Sequence, residues 1–166
     1  MLQSVSAPRA ERAPLPVLEP DMYKRILLPT DGSEASQRAI DAGVEFARES
    51  GAELVAMTAT TPFRAITADA EMLELTAEQY EASSRQHAQR RLDEIADLAR
   101  DAGVPCTAVQ VVSDDPDEAI IATARERMCD LIIMASHGRR GVKGLLLGSV
   151  TQKVLVHSAI PVLVHR

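Results

Sequence analysis

Aromatic side chains are scarce in this chain: two Phe, two Tyr and no Trp make up 2% of its 166 residues. So few rings leave little on which the bases of a nucleic-acid strand could stack. Positive charge is short as well. A formal net charge of −6 gives no overall field to hold phosphate backbones, and nucleic acid is not an expected partner. No apolar run approaches the ~18 residues of a membrane span, so the sequence predicts a soluble, cytoplasmic protein with no membrane contact. Cysteine is limited to Cys106 and Cys129, with neither CxxC spacing nor a neighbouring His. They read as small buried hydrophobes in a reducing compartment, not as a disulfide or a metal set.

What is present suits one globular domain. Hydrophobic residues are 46% and charged residues 25% of the chain, and a domain of this size buries roughly two-thirds of the surface its unfolded form exposes. Residues 1–21 hold four prolines and no periodic pattern. They read as a flexible N-terminal arm, and the domain is expected over residues 22–166.

From Tyr23 onward, short apolar runs alternate with helical patterns. The runs are Arg25–Pro29, Ala52–Thr58, Cys106–Val112, Asp130–Ala135 and Pro161–His165. Several lack apolar/polar alternation, as strands covered on both faces of a parallel sheet do. Between the first two, Ser33 is a candidate N-cap, Ala39, Ile40, Val44 and Ala47 share a helix face, and Gly51 supplies a left-handed stop. A long helix is expected from about Ala70 to Asp101, with Ala88, Leu92, Ile95 and Ala99 as its buried stripe and Gly103 and Pro105 ending it. In Ser113–Ile120, Asp115 suits an N-cap, Pro116 the first helical position and Glu118 a capping box. Capping thus accounts for a cluster of carboxylates that otherwise suggests acid/base or metal chemistry. A last helix starts near Ser149, with Val150, Val154 and Leu155 on its apolar side. The order β-α-β-α-β-α-β-α-β predicts a doubly wound α/β fold.

In such a sheet, ligands bind beyond the carboxyl ends of the strands, where the strand order reverses. Two loops belong there, "LPTDGS" (Leu28–Ser33) and "IMASHGRRG" (Ile133–Gly141). The second contains neither GxGxxG directly after a strand nor GxxxxGK[ST]. Gly138 nevertheless lets the backbone turn closely around a ligand, and Gly148 opens a helix whose first amides, with the Ser149 hydroxyl, suit a phosphate.

"ASHGRRGVKGLLLGS" resembles the nucleotide signature of the universal stress protein family: Gly, two residues, Gly, nine residues, Gly, then Ser or Thr. Ala135 takes the first glycine position, Gly138 the second, Gly148 the third and Ser149 the hydroxyl. "KRILLPTDGSEAS" and "PVLVHR" resemble the same family's first and last strands. The resemblance implies a five-stranded parallel sheet in the order 3-2-1-4-5 with helices on both faces. It also implies ATP, with magnesium, as the ligand. Met134 would contact the nucleotide, and Ala135, Ser136, His137, Gly138, Arg139, Arg140 and Gly141 would wrap the ribose and phosphates. Gly148, Ser149, Val150 and Thr151 would close that site, with Pro29, Thr30, Asp31 and Ala59 on the base and ribose side.

Individual roles stay open at this level. Asp31 is either a ribose, base-amine or water-mediated magnesium contact, or a polar turn residue. Arg139, Arg140 and Lys143 either screen phosphates or are simply solvated. His137 has no carboxylate partner assignable from sequence and reads as loop packing with a phosphate hydrogen bond. His87, His157 and His165 have no ligand spacing. If Ala135 has negative φ its methyl is tolerated; positive φ would strain it.

The expected activity is that of a stress-responsive regulator acting through nucleotide-dependent contacts with an unidentified protein partner. No nucleophile–base pair or Walker lysine is present for rapid hydrolysis. The alternatives are a structural dimer of the same fold without nucleotide, and a slow ATPase or phosphoryl or adenylyl transferase. Ala59–Glu71 is expected to be a mobile lid over the base side. The last strand, Pro161–Arg166, would lie at a sheet edge and invite pairing into a homodimer.

Overall fold

The computed structural model describes residues 22–64, 70–137 and 147–166. Its elements run β1 (Arg25–Thr30), α1 (Glu34–Ser50), β2 (Glu53–Thr60), α2 (Ala70–Asp101), β3 (Cys106–Val112), α3 (Pro116–Glu126), β4 (Leu131–Ala135), α4 (Ser149–His157) and β5 (Val162–His165). All strand pairings are parallel, and the sheet order is β3-β2-β1-β4-β5. The predicted strands all appear, with ends displaced by at most two residues. The N-terminal arm and the loop residues 138–146 lie outside the described residues.

Strand alternation sorts the core into two layers, because successive side chains point to opposite faces. Ile26 and Leu28 of β1, with Leu54, Ala56, Leu131 and Ile133, meet Ile40, Val44 and Ala47 of α1 and Leu92, Ile95 and Ala99 of α2. On the other face Leu27, Val55, Met57, Ile132 and Met134 meet Ile120 and Ala124 of α3 and Val154 of α4. β1 beyond Arg25 and all of β4 are buried, which is why their sequences do not alternate. The sheet winds outward in both directions from β1, so the switch point lies between β1 and β4.

Helix ends explain how the chain enters this arrangement. The Ser33 side chain accepts a hydrogen bond from the Ser36 amide at 3.1 Å, and Gly51 ends α1 at φ 71°. The expectation for α3 is corrected. Asp115 occupies the cap position but makes no side-chain cap bond. Instead the Ser113 hydroxyl accepts from the Asp115 amide at 3.1 Å, the donor that a capping-box Glu118 would have taken. Asp117 is buried and bonded to the Lys153 ammonium at 3.3 Å, linking α3 to α4. Leu155 is also corrected: it is exposed, with Val156 beside it, because the far side of α4 has no neighbouring helix over it among the described residues.

No helix among the described residues is long and apolar enough to cross a membrane. Cys129 is buried and Cys106 half-buried, and both are free thiols. Burial pushes the Cys106 thiol up from its ordinary value and the Cys129 thiol up to about 11. At pH 8 Cys129 should therefore react with iodoacetamide about 100-fold more slowly in the folded protein than in urea, since only the thiolate attacks. Equal rates in the two states, read by peptide mass, would contradict this placement.

Candidate functional site

The loop after β1 is built by its own small polar side chains. Thr30, buried at the strand end, accepts from the Gly32 amide at 3.1 Å, and its Oγ1 lies 3.1 Å from the Ser36 hydroxyl. The Thr58 hydroxyl, from the neighbouring strand, donates to the Thr30 carbonyl oxygen at 3.0 Å. Asp31 Oδ1 accepts from the Ser33 amide at 3.0 Å, so its turn-forming role is real. Gly32 completes the bend at φ +74°, a conformation that an L side chain rarely adopts.

Across the switch point, the end of β4 is tied to the start of α4. The Gly148 amide donates to the Ser136 carbonyl oxygen at 2.8 Å, and the Thr151 hydroxyl to the Ala135 carbonyl oxygen at 2.9 Å. The Ser136 amide donates to His165 of β5, also at 2.8 Å. These bonds bring the two ends of the spaced motif together although the loop between them lies outside the described residues. Met128 is the only non-glycine residue with positive φ among those described, so Ala135 has an ordinary backbone and its methyl is tolerated. It packs with Ala35 and Ala39 of α1.

Between these two loops lies a cavity of about 420 Å³. From the β1 side Pro29, Thr30 and Asp31 line it, and from β2 Ala59. Met134, Ala135 and His137 line it from β4 and the residue beyond, and Gly148, Ser149, Val150 and Thr151 from the start of α4. Ser136 does not line it. It is buried, with its hydroxyl 3.0 Å from His137 Nδ1, so it supports the imidazole from behind. When Ser136 donates to Nδ1, the His137 proton sits on Nε2, available to an anionic ligand. Gly138, Arg139, Arg140, Gly141 and Lys143 lie outside the described residues.

Sequence reasoning missed the apolar floor. Met57, Ile120 and Pro116 line the cavity, with Ser113, Thr61 and Ser36 at its edges. The expected lid, Ala59–Glu71, is part strand and part helix at its ends: β2 runs to Thr60 and α2 begins at Ala70. Its middle, 65–69, lies outside the described residues. Phe63 is half-buried, tilted on Tyr80 with ring centroids 5.7 Å apart, and Arg64 pairs with Asp114 at 2.9 Å.

The electrostatics of the cavity are set by α4. A helix start carries roughly half a positive elementary charge on its unpaired amides. In α1 and α3 that charge meets acidic residues in the first turn, whereas α4 has none, and its cap residue, Gly148, makes no side-chain bond. The wall opposite is mostly apolar, with Asp31 as its carboxylate among the described residues. The cavity thus has an apolar end, under Met57 and Ile120, and an end that attracts anions.

Comparison with known proteins agrees with this geometry. The model of the universal stress protein family matches residues 22–166. Universal stress protein MJ0531 of Methanocaldococcus jannaschii is 31% identical over 87% of this chain and 82% of its own length. YxiE of Bacillus subtilis, another universal stress protein, is 30% identical over 87% of this chain and all of its own. Among solved structures, MJ0577, also of Methanocaldococcus jannaschii, superposes with a TM-score of 0.73 at 31% identity over 86% of this chain and 95% of its own. A universal stress protein solved in complex with cAMP superposes at 0.64 with 28% identity, over 87% of this chain and 97% of its own. The five parallel strands in the order 3-2-1-4-5, the switch-point cavity and the matched span lead to one assignment: the chain belongs to the universal stress protein family.

Proposed function

We propose that this protein binds ATP in the switch-point cavity and acts as a stress-responsive regulator whose contacts with a protein partner depend on the bound nucleotide. The observation that carries the reading is the start of α4: uncapped by a side chain, free of acidic residues, and opening into a cavity whose other end is apolar. An adenine ring suits the Met57–Ile120–Met134 end, and phosphates suit the amides of Ser149, Val150 and Thr151. His137 and the Ser149 hydroxyl add donors beside those amides. Asp31 stands near the ribose side, and magnesium, carried on the phosphates, would meet it through water. The cAMP bound by a relative supports an adenine nucleotide as the ligand class. Gly138, Arg139, Arg140 and Gly141 belong to this proposal as the outer wrap of the phosphates.

Catalysis is not part of it. The Ser136 hydroxyl is buried away from the cavity and engaged with its own chain neighbour, so it is not placed as a nucleophile. Purified protein, denatured and analysed by mass spectrometry, should release ATP in near-stoichiometric amount. Release of no nucleotide, together with no binding of added ATP, would sink the reading in favour of a structural module with an empty cavity.

The same proposal includes a homodimer along β5, with Pro161–Arg166 as the contact segment. β5 ends the sheet, Leu163 on it is 38% exposed, and Val156 of the adjoining α4 is 75% exposed, a combination that invites strand pairing and apolar contact. Sedimentation at micromolar concentration should give twice the 17.9 kDa chain mass, and Leu163→Lys should return the protein to monomer. A wild-type monomer would remove the dimer and leave the nucleotide site untouched.

A further inference from the structure

A second cavity, of about 480 Å³, lies at the same end of the molecule in the cleft between α1 and α2. One wall is α2, where Glu94 stands one turn from both Arg90 (i,i+4) and Arg91 (i,i+3), and all three line the cavity. The facing wall is the loop after β1 and the start of α1, with Gly32 and Ser33, over a floor of Ile40 and Ile95. Thr30 lines both this cleft and the nucleotide cavity, so the β1–α1 loop is the partition between them.

The charges in the cleft are unbalanced. Neither Arg90 nor Arg91 has an ion pair or a side-chain hydrogen bond among the described residues. Glu34, at the rim, is already paired with Arg38 at 2.8 Å. That leaves Glu94 as one carboxylate against two guanidinium groups in a chain whose net charge is −6. His87 also lines the cleft, with its Nδ1 held at the Ser83 carbonyl oxygen at 2.8 Å. The amides at the start of α1 are not invoked, since Ser33 caps that helix.

Arg91 is folded against the loop itself. A Cβ built on Gly32 would fall 2.3 Å from Arg91 Nε and 2.8 Å from Cζ, so the guanidinium occupies the space that a side chain would need. Guanidinium groups present planar, paired donors that match the oxygens of a phosphate group. Arg91 is half-buried over the Ile40–Ile95 floor, where solvent screens less than at the exposed Arg90.

We propose that the α1–α2 cleft is a second anion site, taking a small oxyanion of the phosphate class between Arg90 and Arg91, and that Gly32 transmits its occupancy to the nucleotide cavity. An anion drawing Arg91 away from Gly32 alters the packing of the loop that carries Thr30 and Asp31. Linkage then requires that ATP and the anion change each other's affinity by the same factor. Only this coupling rests on the nucleotide reading; the anion site does not.

The test is a ¹H–¹⁵N titration of the full chain with inorganic phosphate at constant ionic strength. It is run on wild type, on Gly148→Val and on the double variant Arg90→Gln/Arg91→Gln. Saturable shifts are expected at the Gly32 and Ser33 amides and the arginine Nε–H signals, with the same midpoint in Gly148→Val and a midpoint about tenfold or more higher in the double variant. The site is overturned by no saturable shift at Gly32 and Ser33, by loss of those shifts in Gly148→Val, or by an unchanged midpoint in the double variant. ATP titrations with and without saturating phosphate then read the coupling, and an identical ATP affinity in both would remove it. If wild type binds no ATP at all, the nucleotide reading and the coupling fail together, while the phosphate titration still decides the cleft.

Discussion

Gly148→Val is expected to weaken ATP binding by about 100-fold or more while the fold survives, on the scale of losing two charge-assisted hydrogen bonds to the phosphates. The backbone there is at φ −62° and ψ 149°, an extended conformation open to any residue, so the substitution creates no backbone strain. Its folded-state cost is a poorer helix cap, about 1 kcal/mol. Its effect on the ligand is larger because Gly148 is part of the cavity wall where the chain enters α4. Ser149→Ala removes a single donor and should cost roughly 1.5–3 kcal/mol, about tenfold to more than a hundredfold in affinity. Ala135→Gly is the control: with Ala135 already in an ordinary backbone conformation, affinity should be equal or slightly improved. Calorimetry and circular dichroism on the same samples separate lost binding from lost folding. Native dichroism with undiminished ATP affinity in both Gly148→Val and Ser149→Ala would place the phosphates elsewhere.

The second large effect is on stability, at the contact between α1 and β1. Leu28 is fully buried, and a Cβ built on Gly43 would stand 2.5 Å from Leu28 Cδ2. Glycine at this helical position is therefore a packing requirement. Leu28→Ala should cost about 3 kcal/mol, lowering Tm by roughly 10 °C for a domain of this size. Gly43→Ala, which in an exposed helix gains up to ~1 kcal/mol, should here cost about 1–2 kcal/mol because Leu28 cannot move aside without crowding the core. The pair should lose about 1 kcal/mol less than the sum of the two, since the new methyl enters space that the truncation vacates. Strict additivity in urea unfolding would mean that the two side chains do not compete for that space.

The fold was legible because its signals are local. Ser33, Gly51 and the stripe Ala88, Leu92, Ile95 and Ala99 each declare a cap, a stop or a face within a few residues, and the structure places them so. The capping box at Asp115 was misjudged because the Ser113 hydroxyl already holds the Asp115 amide, the donor that Glu118 would have taken, a choice between polar side chains that propensity does not resolve. Leu155 failed for a different reason. Its spacing is that of an apolar face, but burial depends on a neighbouring element, and α4 sits by the edge strand.

The site was legible in part. The spacing from Ala135 to Gly148 marked the end of the cavity at the start of α4, and the loop Pro29–Asp31 the wall facing it, since turns and helix starts have sequence signatures. Its apolar floor had none: Met57 and Ile120 look like any core residue in a strand or helix, and only the sheet order brings them under the same opening. The Asp117–Lys153 pair spans 36 residues of sequence and was invisible for the same reason.

The most direct test of the central claim, that the start of α4 holds phosphates, compares ATP with adenosine on ¹⁵N-labelled wild-type protein. The account predicts that both ligands shift the signals of Ala59 and Thr30, that ATP alone strongly shifts the Ser149, Val150 and Thr151 amides, and that ATP binds far more tightly. ATP binding that leaves those three amides where adenosine leaves them would contradict it.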